Sequence, residues 1–234
     1  MGPIDIGSPA ITAENVRELF PDVEALSVVS PASCGVSAAE SGDFEGYDEE
    51  QVRMMDEVCI VLDVDDEPIG RVSKRDFYIA HFPRADKKVT FPMMWTNTCC
   101  SHPLDIPDER GTDFGSAILG VKRAARRKLG QELGIRPEQV PLEDFQFLTR
   151  VHYKAPSDGK WVDYILFIQA DVDLAVNRNE VQDVRWVSPE DLRNMFATPG
   201  LQYTPWFKLI CDSLLFKCNY RGPLPVLDSC LLLV

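Results

Sequence analysis

The densest chemical text in this 234-residue chain is Thr96-Asn97-Thr98-Cys99-Cys100-Ser101-His102-Pro103. Two cysteines and a histidine can supply a nucleophile, a proton donor or metal ligands, and they can equally be packed core. Adjacent cysteines rarely bridge each other, because disulfide geometry does not close over a single peptide. A second stretch gathers Arg84, Lys87 and Lys88 in a chain of net charge −13. Arginine forks onto phosphate oxygens and lysine supplies a point charge, so this cluster reads as a phosphate clamp or as a charged turn. A third candidate is Glu132, an acid in the last turn of a helical pattern, read as a solvated face or as a metal-side carboxylate.

The elements that must position these groups follow from periodicity. Between Asp113 and Gly134 the apolar residues Phe114, Ile118, Val121, Ala125, Leu129 and Leu133 recur at helical spacing, and Gly134 marks the stop. Residues 59–70 read as a strand, an acidic turn and a reversal. Residues 76–82, 145–155, 161–172 and 181–188 have strand composition. Residues 89–100 read as an extended stretch running into a loop at Ser101. Ser188-Pro189-Glu190-Asp191 and Thr204-Pro205 are cap-and-proline starts of two further helices, the second predicted to reach residue 217. The order of elements predicts a single domain of the α/β class, an α+β mixture with a mixed sheet. Residues 1–47 read as a poorly ordered arm with a short amphipathic piece at Ala13–Phe20, residues 48–217 as the domain, and 218–234 as a divergent tail.

The acidity argues against a nucleic-acid groove, and no apolar run reaches the roughly 20 residues of a membrane span. The N-terminal residues lack a secretory layout, and seven cysteines without a CxxC pair suit free thiols in a reducing cytoplasm. Nothing points to a protein partner.

Six stretches in order, VTFPMMWTNTCCSHPL, GVKRAARRKLGQELGI, LTRVHYKAPSDG, DYILF, VRWVSPEDL and TPWFK, resemble the type 1 isopentenyl-diphosphate isomerases, in their eukaryotic, particularly fungal, form. The resemblance spans about Asp48 to Lys217. It implies a Nudix-like α/β/α sandwich and a prenyl diphosphate substrate. It also implies isomerisation of isopentenyl to dimethylallyl diphosphate through protonation and deprotonation on opposite faces of the alkene. Carried over, Cys100 matches the catalytic cysteine and Tyr153 a tyrosine near the carbocation. Lys74, Arg84 and Lys88 match diphosphate contacts, and Trp206 matches the covering aromatic. His102 matches a metal-ligand histidine, and Glu132 a glutamate associated with Mg²⁺.

The chain departs from the family on the other half of the site. The family's Gly-Glu-His-Glu before the DYIL strand has no counterpart, since Trp161 runs directly into Val162-Asp163-Tyr164. That segment holds the catalytic glutamate and a metal ligand. A stretch after Lys74-Arg75 carrying two metal-ligand histidines and a core strand is also missing; residues 76–82 stand in for the strand, and His81 is in the wrong motif to replace a ligand. Of the implied ligands only His102 survives besides Glu132. Asp158 and Asp163 lie on the wrong side of the excision to replace the base. The expectation is weak or absent isomerase activity. Three explanations compete: mis-drawn exons, a prenyl-diphosphate-binding paralogue, or an enzyme repurposed for carbocation chemistry, such as cyclisation, on another prenyl substrate.

Overall fold

The computed structural model describes residues 15, 18, 24–25, 48–63, 65, 67–74, 93–154, 160–216 and 230–233, with the backbone alone for residues 24–25, 153–154, 160–161 and 230–233. The arm with its Ala13–Phe20 piece, the 76–82 strand, His81, Arg84 and Lys88 lie wholly or almost wholly outside these residues.

The first sheet has the order β1-β3-β2, with β1 Glu24–Ala25, β2 Val58–Leu62 and β3 Pro68–Ser73, all neighbours antiparallel. Its hairpin is built by one carboxylate: Asp63 Oδ1 accepts from the backbone N–H of Asp65 at 2.8 Å and of Glu67 at 3.0 Å. An aspartate that mimics a backbone turn is what the acidic stretch after β2 suggests. Helix α1, Glu49–Met54, precedes this hairpin and is capped by Asp48.

Helix α2, Phe114–Leu133, forms where the periodicity places it. Asp113 caps Gly115 and Ser116, and Ser116 Oγ accepts from the Asp113 N–H at 3.1 Å, closing a capping box. Gly134 ends the helix in the left-handed region, φ 67°, which a glycine adopts without a Cβ clash. Its inward stripe includes Ala125, Leu129 and Leu133.

The second sheet has the order β4-β5-β6, with β4 Gln146–Lys154, β5 Lys160–Ala170 and β6 Cys230–Leu233, again antiparallel. Side chains alternate across a strand, so β5 serves two layers. Leu166 and Ile168 pack on α2 together with Leu129, Ile135, Phe145 and Cys99. Ile165 packs on the other side against Leu192 of helix α3, Pro189–Ala197, and Phe207 and Ile210 of helix α4, Pro205–Ile210. The result is the α/β/α sandwich of a single domain. Each fully buried Leu or Phe in these layers contributes about 1.5–3 kcal/mol.

Three sequence expectations change. Residues 181–188 form no strand; they run irregularly with Trp186 and Val187 exposed, and no described strand lies beside them to accept their hydrogen bonds. Helix α4 passes at Cys211–Leu215 into a π-helical turn rather than continuing regularly to 217. The tail, which matches nothing in the resemblance, supplies β6.

Candidate active site

The Cys-Cys loop is tied to the start of α4. Trp95 N–H donates to the Gln202 carbonyl at 2.8 Å, and Thr204 N–H donates to the Trp95 carbonyl at 3.0 Å. The hydroxyls of Thr96 and Thr204 meet at 2.9 Å. Asn97 is buried and locks the pair: its Oδ1 accepts from the Trp206 indole N–H at 3.1 Å and from the Thr96 hydroxyl at 3.0 Å, while its Nδ2 donates to the Cys99 carbonyl. Because indole only donates, the amide has one satisfactory orientation. This grip turns Cys99 into the α2 core, where burial pushes its thiol well above the ordinary range, and leaves Cys100 exposed.

A cavity of about 80 Å³ opens between this loop, α2, α4 and the edge of β5. Strand β6 pairs only with Phe167–Ala170, so among the described residues the Val162–Leu166 edge is left to the loop. Cys100 and Trp206 line the cavity, with Val121 and Ile210 as apolar walls. Asp163 and Tyr164 line it from β5. Burial pushes the Asp163 carboxyl up to about 7.

Behind the loop lies a second cluster, of ion pairs. Glu109 accepts from Arg127 through both oxygens, at 2.6 and 2.9 Å, and from the Leu104 N–H at 2.8 Å. Arg127 also donates to the His102 carbonyl at 3.3 Å. Lys74 pairs with Glu57, and Lys128 with Glu132 at 3.1 Å. His102 is half-buried beside Lys74, Lys128 and Arg127; burial first, then these cations, push its imidazole down to about 3.

The expected site residues therefore divide. Cys100 and Trp206 share the cavity. Lys74 turns to Glu57, and His102 and Glu132 sit off the cavity lining. The Tyr153 backbone pairs with Trp161 at the end of β4. Arg84 and Lys88 belong to undescribed residues. A neutral imidazole is what a metal ligand needs. The carboxylate that would join it, Glu132, is already committed to Lys128, as Glu109 is to Arg127 and Glu57 to Lys74. Among the described residues no three His, Cys, Asp or Glu side chains gather into a metal site. This donor set does not fit the metal that the resemblance implies.

Two residues of the site escaped sequence reasoning. Asn97 gave no signal beyond its place in the motif. Asp163 was set aside because of the missing residues before it. An acidic position alternating with Ile165 and Phe167 was the available clue.

A NUDIX domain matches residues 120–207. The chain is 56% identical to the isopentenyl-diphosphate delta-isomerase idi1 of Aspergillus fumigatus, covering 92% of this chain and 91% of the relative. It is 52% identical to the isopentenyl-diphosphate delta-isomerase of Gibberella zeae, covering 88% and 87%. It is 41% identical to the isopentenyl-diphosphate delta-isomerase 1 of Mus musculus, covering 73% and 87%. The Aspergillus alignment extends over 253 residues, more than the 234 of this chain. That relative therefore has residues at positions where this chain has none.

Proposed function

We propose, from the premise that this chain belongs to the isopentenyl-diphosphate delta-isomerase family, that it binds a five-carbon prenyl diphosphate with the hydrocarbon end in the Cys100 cavity, and that the family's metal-assisted isomerisation is weak or absent in it. The observation that carries this reading is the split site. Cys100 and Trp206 face one small apolar cavity, while His102 and Glu132 lie off its lining, with Glu132 paired to Lys128.

The cavity is small, about 80 Å³, and mostly apolar, which suits a short branched hydrocarbon tail. The Trp206 indole supplies an aromatic face, the environment that steadies a developing tertiary cation. Cys100 supplies a sulfur that can exchange a proton with the alkene. The diphosphate lies outside, where the undescribed Arg84 and Lys88 are the proposed contacts. Mg²⁺ remains the family's divalent ion; bound to the substrate it neutralises diphosphate charge, and the described residues add no cage for it. The four cysteines whose side chains are described, Cys59, Cys99, Cys100 and Cys211, are free thiols, which suits the cytoplasm. No described helix is long and apolar enough to cross a membrane.

The test is to incubate the purified chain with isopentenyl diphosphate and Mg²⁺, and to measure substrate binding and dimethylallyl diphosphate formation together. Binding that weakens in Arg84→Ala and Lys88→Ala, with slow or no product, is the expected result. Fast, Mg²⁺-dependent interconversion that Cys100→Ala abolishes, or a stoichiometric metal in the purified protein, would contradict the proposal.

A further inference from the structure

Proton transfer across an alkene needs two groups on different walls of one cavity. Cys100 is held on the loop wall by Asn97, and the wall facing it is the open edge of β5. That edge presents two titratable side chains, Asp163 and Tyr164, and of these only Asp163 is a carboxylic acid. Its place is set by strand register. Asp163 pairs with Val151 across the sheet and alternates with Ile165 and Phe167, which pack on the α4 layer that carries Trp206. A carboxyl therefore closes an otherwise apolar face of the cavity that Trp206 also lines. Among the described residues no hydrogen bond or ion pair engages it, and neither turn nor cap explains an aspartate in mid-strand. An acid in such a place costs stability, so an apolar residue would serve the fold better.

We infer that Asp163 is the second proton-transfer group of this cavity, acting across the bound prenyl tail from Cys100 and replacing the glutamate that the chain lacks. This rests on the prenyl-diphosphate reading above. In the step, the neutral Asp163 carboxyl gives its proton to the terminal CH₂ carbon of the homoallylic diphosphate. The alkene π pair forms the new C–H bond and leaves a tertiary cation against Trp206. The Cys100 thiolate then takes a proton from the neighbouring CH₂, and that C–H pair becomes the shifted double bond. One proton enters and one leaves; nothing is oxidised and the diphosphate stays attached. Exchange with water restores both groups. A carboxyl pushed up to about 7 has both its acid and its base form populated near neutral pH, as such a relay requires.

The experiment follows slow turnover by isotope. The full chain is incubated with isopentenyl diphosphate in D₂O, deuterium in the recovered prenyl diphosphates is measured by mass spectrometry, and substrate affinity is measured by tryptophan fluorescence. The expected result is slow incorporation in the parent protein, reduced by at least ~10²-fold in Asp163→Asn with affinity unchanged, and partly recovered in Asp163→Glu. Recovery by glutamate is a readout that a merely structural carboxyl would not give. Undiminished incorporation in Asp163→Asn overturns the inference and leaves the binding reading intact, as does binding without any incorporation in the parent. No binding of isopentenyl diphosphate overturns both.

Discussion

Side chains a single bond apart in sequence have opposite fates in the Cys-Cys loop. Cys99 is core, and Cys100 is the sulfur the cavity can use. Alkylation at neutral pH should therefore mark Cys100 well before Cys99, read by fragmentation of the one peptide that holds both; equal labelling would mean that the loop does not hold this orientation. The residue that enforces the orientation is Asn97. Removing its amide in Asn97→Ala deletes the hydrogen bonds to the half-buried Trp206 indole N–H and to the Cys99 carbonyl, a loss of about 1–3 kcal/mol. The same change frees Trp206, so its fluorescence should shift toward that of a solvated indole and prenyl-diphosphate affinity should fall. A destabilised variant with unchanged Trp206 emission would show that the indole is positioned by packing alone. The contrast between the two cysteines was not readable from the text of the motif. It depends on hydrogen bonds to Thr204 and Trp206, more than 100 positions away.

At the scale of elements, α2 is the platform on which the loop is mounted. Gly120 lets the backbone around Glu109 lie directly on the helix, since a Cβ there would come within 2.1 Å of the Glu109 carbonyl oxygen. Glu109 in turn holds Leu104 and Arg127, and so fixes the chain on the far side of His102. Gly120→Ala should cost about 1–3 kcal/mol through overpacking, although alanine is the better helix former. A denaturant midpoint unchanged or raised by this substitution would sink the argument. The elements themselves were legible where local chemistry dominates: α2 has both its period and its caps, and the β4–β5 pair has its alternation. Strand 181–188 was misread because its β-rich composition needs a partner strand, and none of the described strands provides one. The role of β6 was invisible for the opposite reason, since pairing with β5 decides it and resemblance does not. Asp163 was set aside for lying on the wrong side of the excision, a judgement made on distance along the chain. Deleting an even number of strand residues leaves the alternation of faces intact, so a four-residue excision keeps Asp163 on the face it would otherwise occupy.

At the scale of the whole molecule, His102 and Asp163 both have charged forms disfavoured by desolvation, and their effects on stability oppose each other. His102 is held near 3, against an ordinary 6.5, so the unfolded chain binds more protons between those values and stability from this group rises with pH. Asp163 is held near 7, against 3.8, so the folded chain binds more protons and stability from this group falls as pH rises over that range. From about pH 4 to 6.5 the two slopes have opposite sign and comparable size, leaving the parent protein flatter in its pH response than either group alone would make it. Asp163→Asn removes one slope. The variant keeps the neutral shape of the protonated acid, so it should gain little in melting temperature at pH 4.5 and gain most above pH 7.5, where the parent carries a desolvated carboxylate. A thermal-melt series at those two values decides it. A gain of equal size at both, or a loss at pH 8, would mean that the carboxyl is solvated or paired in the folded chain, and would remove the desolvation on which its acid strength depends.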